Sequence, residues 1–180
     1  MRKVSVRPAQ AADLAAVAAI YAHSVHTSVA TFDVEEPPLS YWQAKLGSTA
    51  AGDHFLVAHS LVAHSSVAHP REATGVEEVL GFAYAGMFRP RPAYDQTRET
   101  SVYVAPTATG AGLGSQLCTA LLDLLRRDKI HLVVAVVAQP NPASNALHRR
   151  LGFTEVGTLD EVGFKFGAHV STTWFQLRLN

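Results

Sequence analysis

The chain has 180 residues, 48% of them hydrophobic and 17% charged, which fits one globular domain with an ordinary core and argues against disorder. Fifteen basic residues balance fifteen acidic ones, so there is no basic excess to hold a nucleic-acid backbone. Cys118 stands alone, which excludes an intramolecular disulfide and a Cys-rich zinc site, and no apolar run approaches the roughly 20 residues of a membrane span.

Met1-Arg2-Lys3 leads into alternation and not into the apolar stretch of a signal peptide, so a cytoplasmic protein is expected. Val4-Ser5-Val6-Arg7-Pro8 alternates apolar and polar residues and stops at proline, predicting a first strand. A helix follows over Ala11 to Val25, with Leu14, Val17, Ile20 and Tyr21 at helical spacing and Asp13 near its positive end. Val29 to Glu36 reads as a loop closed by Pro37-Pro38, after which Ser40 caps a second helix through Trp42 and Leu46. Phe55 to Ala58 and Val79 to Ala85 predict strands, and Ser101 to Val104 a short one ended by Ala105-Pro106. Ser115 to Arg127 is a strongly amphipathic helix, with Leu117, Leu121, Leu124 and Leu125 on one face. Leu132 to Ala138 is the continuous apolar run of a strand buried on both faces. A helix over Pro142 to Leu151, ended by Gly152, and strands over Thr154 to Val162 and Thr172 to Leu179 complete the chain. Helices set between strands predict a mixed α/β layer. With no linker in view, residues 1–180 read as a single domain.

Between the second and third strands, Val57-Ala58-His59-Ser60, Val62-Ala63-His64-Ser65 and Val67-Ala68-His69-Pro70 form a five-residue repeat. Three histidines invite a metal site, but this spacing suits no single helix face and alternates faces in a strand. The repeat is read as an expanded hairpin connection, with no metal.

The most informative stretch is Val102-Tyr103-Val104, then Gly110-Ala111-Gly112-Leu113-Gly114-Ser115, then a helix. Glycines let backbone amides approach a ligand, and the positive helix end behind them suits a diphosphate. A dinucleotide loop would follow the first strand, with an acidic residue about 20 positions later. This loop lies past the middle of the chain and lacks the Gly-Lys-Ser/Thr of a triphosphate loop.

Continued through Asn141-Pro142-Ala143-Ser144 and His148-Arg149-Arg150-Leu151-Gly152-Phe153, this order resembles the acetyl-CoA core of the GNAT superfamily. Ala83-Tyr84-Ala85-Gly86, Arg91 with Tyr94, Glu99 to Val104, and Gly163-Phe164-Lys165 narrow the resemblance to the phosphinothricin and methionine sulfone N-acetyltransferase branch. It covers nearly the whole chain from Val6-Arg7-Pro8 onward. The resemblance implies an α/β (α+β layered) GNAT fold: a central mixed, mostly antiparallel twisted sheet flanked by helices, its two central strands splayed. It implies an acetyl-CoA-dependent N-acetyltransferase that needs no metal and works as a cytoplasmic homodimer. The acetyl group would go to the amino group of a small amino-acid-like substrate, of the phosphinothricin or methionine sulfone/sulfoximine type. Transfer would be by direct attack in a ternary complex.

The same resemblance assigns roles. The pyrophosphate of CoA would lie on the amides of Gly110, Ala111, Gly112, Leu113 and Gly114, with Thr109 and Ser115 at the ends of the loop. Val102, Tyr103 and Val104 would hold the acetyl and pantetheine arm through backbone groups, with Asn141 and Ser144 where the strands splay. An amine with a pKa near ~8 must lose its proton before or during attack, and Glu99 is the candidate base. Its ordinary reading is a strand-end carboxylate paired with Arg98. His148 stands where much of the superfamily has a tyrosine that protonates the departing thiolate, and would act as acid or alternative base. Its ordinary reading is a helix residue packed on Phe153. For substrate, Arg91 and Tyr94 suit a carboxylate, Phe32 walls the pocket from the early loop, and Lys165 belongs with Phe166 to a late hairpin.

The pattern also departs from the branch. Thr109 replaces the usual Gln or Arg, removing one side-chain contact to the pyrophosphate, and Ala168-His169-Val170-Ser171 replaces a Trp-x-Asp run. Other acceptors (a peptide N-terminus, a polyamine) and a CoA-binding regulatory module without turnover are the competing readings. Arg91 argues against a polyamine. The presence of both Glu99 and His148 argues against the silent module.

Overall fold

The computed structural model describes residues 4–63 and 75–179. Seven strands form one sheet: β1 (Val4–Pro8), β2 (His54–Ala63), β3 (Gly75–Met87), β4 (Thr97–Val104), β5 (Leu132–Ala138), β6 (Thr154–Lys165) and β7 (Ala168–Arg178). Their spatial order is β1-β2-β3-β4-β5-β7-β6. Every neighbouring pair is antiparallel except β4 with β5, which is parallel. The helices are α1 (Leu14–Thr27), α2 (Leu39–Leu46), α3 (Leu113–Arg127) and α4 (Pro142–Arg150). This is the mixed α/β layer read from the sequence, and the mostly antiparallel sheet flanked by helices that the resemblance implies.

Period-two alternation along the strands feeds a separate core on each face of the sheet. Leu56, Ala58, Ala83 and Ala85 meet α3, which inserts Leu117, Leu121 and Leu125 at four-residue spacing. Each buried leucine is worth about 1.5–3 kcal/mol, far more than the propensity that leaves an isolated helix of this length marginal. On the other face Phe55, Val57 and Phe82 meet α1 and α2 around Trp42, which is fully buried and takes Tyr21 edge-on at 5.1 Å.

Several boundaries differ from expectation. The first helix divides, with a 3₁₀ turn at Ala11–Asp13 leading into α1. Asp13 is held there by Arg7, whose two guanidinium nitrogens donate to it at 2.7 and 2.9 Å, and by the Gln10 amide at 2.7 Å. This bidentate cation keeps the Asp13 carboxyl below the usual carboxylate range. Ser40 caps nothing: α2 begins at Leu39, with Pro38 as its N-cap. The first unit of the histidine repeat is strand and not connection, because β2 continues to Ala63. His59 is buried in β2, 3.0 Å from the Ser5 hydroxyl. His64 and His69 lie outside the described residues.

Candidate active site

The parallel pair β4–β5 is short. Thr97, Arg98 and Glu99 pair with Leu132, Val133 and Val134, and the register ends there. Beyond Glu99 the strands diverge, so the β5-facing edge of Thr100 to Val104 lies against a cavity instead of a strand. Interior backbone groups of this kind require a partner, which makes the splay a place for an extended ligand.

Three cavities meet at the splay. One, of about 510 Å³, runs between the start of α3 and α4 and is lined by Val102, Val104, Thr109, Gly110, Gly112, Leu113, Gly114, Ser115, Asn141 and Ser144. A neck of about 70 Å³ follows between the diverging strands, walled by Thr100, Val102, Cys118, Ala135, Val137 and His148. A third, again about 510 Å³, opens towards α2 and is lined by Tyr41, Lys45, Tyr84, Gly86, Glu99 and Ser101. Val102, Tyr103, Asn141 and Ser144 wall both the first cavity and the neck, and Ser101 walls both the neck and the third. Long cleft, narrow neck and open pocket therefore adjoin one another in series.

In the first cavity, Gly110 and Gly112 adopt left-handed φ of 78° and 77°, conformations that carry a cost for residues with a Cβ. They turn the chain so that α3 begins at Leu113, two residues before the predicted start. The first intrahelical acceptor serves Gln116, so the amides of Leu113, Gly114 and Ser115 have no acceptor within the helix and point with its positive end. Thr109 joins the lining, but its hydroxyl donates back to the Pro106 carbonyl at 3.1 Å. Asn141 caps α4, its Oδ1 accepting from the Ser144 amide at 3.0 Å, which leaves its Nδ2 as a donor at the mouth of the neck.

His148 is 5% exposed, stacked on Phe175 at 5.4 Å and edge-on to Phe153 at 5.1 Å. Its Nδ1 lies 2.8 Å from the Ser144 carbonyl, which can only accept. The ring proton is therefore on Nδ1, and Nε2 keeps its lone pair. Burial lowers the His148 pKa, more than the Ser144 contact raises it. A neutral ring with a free acceptor nitrogen is suited to taking a proton or a hydrogen bond, not to supplying one.

Glu99 lies inside β4, two residues after its start, instead of at the strand's entrance. Its neighbour Arg98 points to the other face, where Nε meets Asp53 at 3.1 Å and the other nitrogens donate to the carbonyls of Ala51, Asp95 and Thr97. The ordinary reading of Glu99, a carboxylate paired with Arg98, is thus not what the fold forms. Desolvation raises the Glu99 pKa, and the charges of Arg89 and Lys45 only partly offset this. A carboxyl with raised pKa, lining a cavity and half-buried, is suited to proton acceptance near neutrality.

Cys118 walls the neck but is inert, because burial pushes its thiol up to about 12. A thiol reagent should therefore titrate no cysteine in the native chain at neutral pH and one after denaturation in guanidinium. Prompt labelling of the native chain would contradict this burial.

The sequence matches the Acetyltransferase (GNAT) family over residues 28–153. The chain belongs to the GNAT acetyltransferase family. It is 38% identical to phosphinothricin N-acetyltransferase of Streptomyces coelicolor over 174 residues, 97% of this chain and 95% of that protein. It is also 38% identical to L-methionine sulfoximine/L-methionine sulfone acetyltransferase of Pseudomonas aeruginosa PAO1, over 98% of this chain and 95% of that protein. Among solved structures, a GNAT superfamily phosphinothricin acetyltransferase from Sinorhizobium meliloti in complex with acetyl-CoA superposes with a TM-score of 0.84 at 32% identity. That match covers 98% of this chain and 89% of that one.

Within this GNAT chain the residues expected to select substrate do not converge. Arg91 precedes the turn Pro92–Tyr94 and Tyr94 ends it; both are exposed and neither lines a cavity described above. Tyr94 packs edge-on to Phe88 at 5.5 Å. Lys165 is 4% exposed and donates to the carbonyls of Ser28 and Thr31 at 2.9 and 2.8 Å, so it ties down the early loop rather than facing a substrate. Phe32 sits at the same junction, its ring over Gly163. The loop held this way carries Ala30, which lines both the first cavity and the neck.

Other wall residues went unassigned in the sequence. Tyr41, Ala44, Lys45 and Ser48 line the third cavity. Tyr41, Ala44 and Lys45, three and four residues apart, share one stripe of α2, and Ser48 follows just past its end; that spacing was the available signal. Leu147 and Arg150 line the first cavity along α4, at three- and six-residue spacing from Ser144. Arg89, two residues before Arg91, is the arginine whose charge reaches Glu99.

Proposed function

We propose that this GNAT chain is a single-domain, acetyl-CoA-dependent N-acetyltransferase of a small amino-acid-like amine, of the phosphinothricin or methionine sulfone/sulfoximine type. The observation that carries the reading is the series of cleft, neck and pocket across the β4–β5 splay, with Glu99 on the pocket side. The amides at the start of α3 suit a pyrophosphate, the open edge of β4 suits a pantetheine arm, and Asn141 offers a donor beside it. Bound acetyl-CoA supplies an activated thioester acyl group. Glu99, held partly desolvated, takes the amine proton directly or through one water, and acceptor and acyl group meet as a ternary complex at the neck. His148 presents Nε2 as an acceptor, which favours the role of second base or orienting group over that of acid.

A cytoplasmic homodimer belongs to the same proposal. Among the described residues no helix is long and apolar enough to cross a membrane. The edge strand β6 and its turn expose Val156, Leu159, Val162, Phe164 and Phe166, each at least 48% accessible. A second copy would cover these, and sedimentation should return twice the chain mass.

The test is thiol release from acetyl-CoA against phosphinothricin, methionine sulfone, methionine sulfoximine, plain amino acids, a dipeptide and spermidine. The masked Cys118 leaves the colorimetric readout clean. Turnover concentrated on the phosphinothricin and methionine analogues is expected. Turnover only with dipeptide or spermidine would overturn the substrate class, and none at all would overturn the enzymatic reading.

A further inference from the structure

The third cavity holds an unpaired cation. Lys45, on α2, places its Nζ 3.9 Å from the centre of the Tyr84 ring and 4.8 Å from that of Tyr41. Two ring faces hold an ammonium through their quadrupoles without neutralising its charge. Among the described residues Lys45 has no ion pair and no hydrogen-bond acceptor. The other ionisable groups of the same wall are already engaged. Asp53 accepts from the Ser48 hydroxyl at 2.6 Å and faces Arg98 at 3.1 Å, and His54 meets Asp128 at 2.8 Å. Glu99 and Lys45 are left as the unspent charges of the pocket, close enough for Lys45 to lower the Glu99 pKa.

We propose that Lys45 is a substrate-binding residue that pairs with an acidic group of the acceptor and so orients its amine towards Glu99. The inference rests on the N-acetyltransferase reading and adds to it the residue that selects an anionic acceptor. A zwitterionic amino acid supplies what the two unspent charges lack, an ammonium for the carboxylate and an anion for the lysine. Both the α-carboxylate and a side-chain phosphinate have the required chemistry. The ring-held lysine is a pre-oriented point charge, so little side-chain entropy is lost when the anion arrives.

The experiment compares kcat/KM for L-methionine sulfone, its α-carboxamide, phosphinothricin and its α-carboxamide in the full chain and in Lys45→Met, Lys45→Gln and Lys45→Arg. A charge-assisted contact predicts a roughly tenfold preference for acid over carboxamide, carried in KM, in the native chain. Lys45→Met and Lys45→Gln should erase it and Lys45→Arg should keep most of it. Loss instead of a preference for phosphinothricin over methionine sulfone, with the acid-over-amide ratio intact, would assign the phosphinate as the partner and still support the proposal. Both ratios unchanged in Lys45→Met or Lys45→Gln, with native melting, would overturn it. Absence of turnover by the native chain would strike the N-acetyltransferase reading first.

The pH profile is a second readout that a packing role would not move. The charges that act on Glu99 are Lys45 from α2 and Arg89 from the segment after β3, while Asp53 and His54 of the same wall are paired elsewhere. Removing Lys45 takes away a charge that lowers the Glu99 pKa, so the acid limb of kcat/KM should move to higher pH in Lys45→Met. An unmoved limb would count against the placement of the cation.

Discussion

Glu99→Gln is expected to lower kcat by about 10²–10⁴-fold while leaving acetyl-CoA affinity unchanged, since loss of a positioned general base typically costs that much. The argument begins in β4. The strand points Glu99 and Arg98 to opposite faces, and Arg98 is consumed by Asp53 and three backbone carbonyls. Glu99 is left lining the pocket without the neighbour that would have made it a stable surface carboxylate. Desolvation then raises its pKa. Because the base form is the deprotonated one, wild-type kcat/KM should fall on the acid side with a midpoint above the ordinary glutamate range. The Gln variant should lose that limb. An intact rate in Glu99→Gln would remove Glu99 as the base and leave His148 as the remaining acceptor.

The same shift has a consequence for stability, with the opposite sign from a salt-bridged carboxylate. The folded pKa lies above the unfolded one, so the folded chain holds the proton longer as pH rises. Below the unfolded pKa both states are protonated and Glu99 contributes nothing. Above it the unfolded state ionises first and gains, so stability falls with pH through the window up to the raised folded value. Glu99→Gln should therefore melt at or above the wild-type temperature at pH 7, with the difference vanishing in acid below the glutamate range. A variant that loses activity and gains stability is what a desolvated working group predicts.

The parts of this molecule that follow a period were legible in the sequence. The leucines of α3, the apolar run of β5 and the glycine turn between β4 and α3 stand where the pattern puts them. The splay was implied only through resemblance, because no local pattern says where two parallel strands stop pairing. The substrate side was less legible. Lys165 and Phe32 look like substrate-side residues until the fold brings residue 165 against residues 28–31, a contact across more than 130 positions, and the Phe32 ring over Gly163. Arg91 was the natural choice for a carboxylate clamp, whereas Arg89 and Lys45 are the charges that reach Glu99. Telling them apart requires knowing which way each side chain leaves the loop or helix, and in the exposed turn at 92–94 no hydrophobic periodicity fixes that direction.

Gly163 carries the other large prediction. A methyl group there would lie 2.3–2.8 Å from three carbons of the Phe32 ring, closer than any Cβ contact tolerates. Phe32 is 39% exposed, so its ring has room to leave, but leaving it unseats the loop that Lys165 ties through Ser28 and Thr31. Overpacking of this kind costs about 1–3 kcal/mol, and Gly163→Ala should lose that much in denaturant unfolding. Phe32→Ala should lose less, and in its background Gly163→Ala should cost close to nothing, because the clashing ring is gone. Additive losses in the double variant would mean that the glycine serves the strand and not the ring. Since Ala30 lines both the first cavity and the neck, Gly163→Ala should also raise KM for acetyl-CoA, and Phe32→Ala should relieve that increase. Gly163-Phe164-Lys165 then has a physical meaning: one residue leaves space for a ring, and another, two positions on along the strand, ties down the backbone that carries the ring.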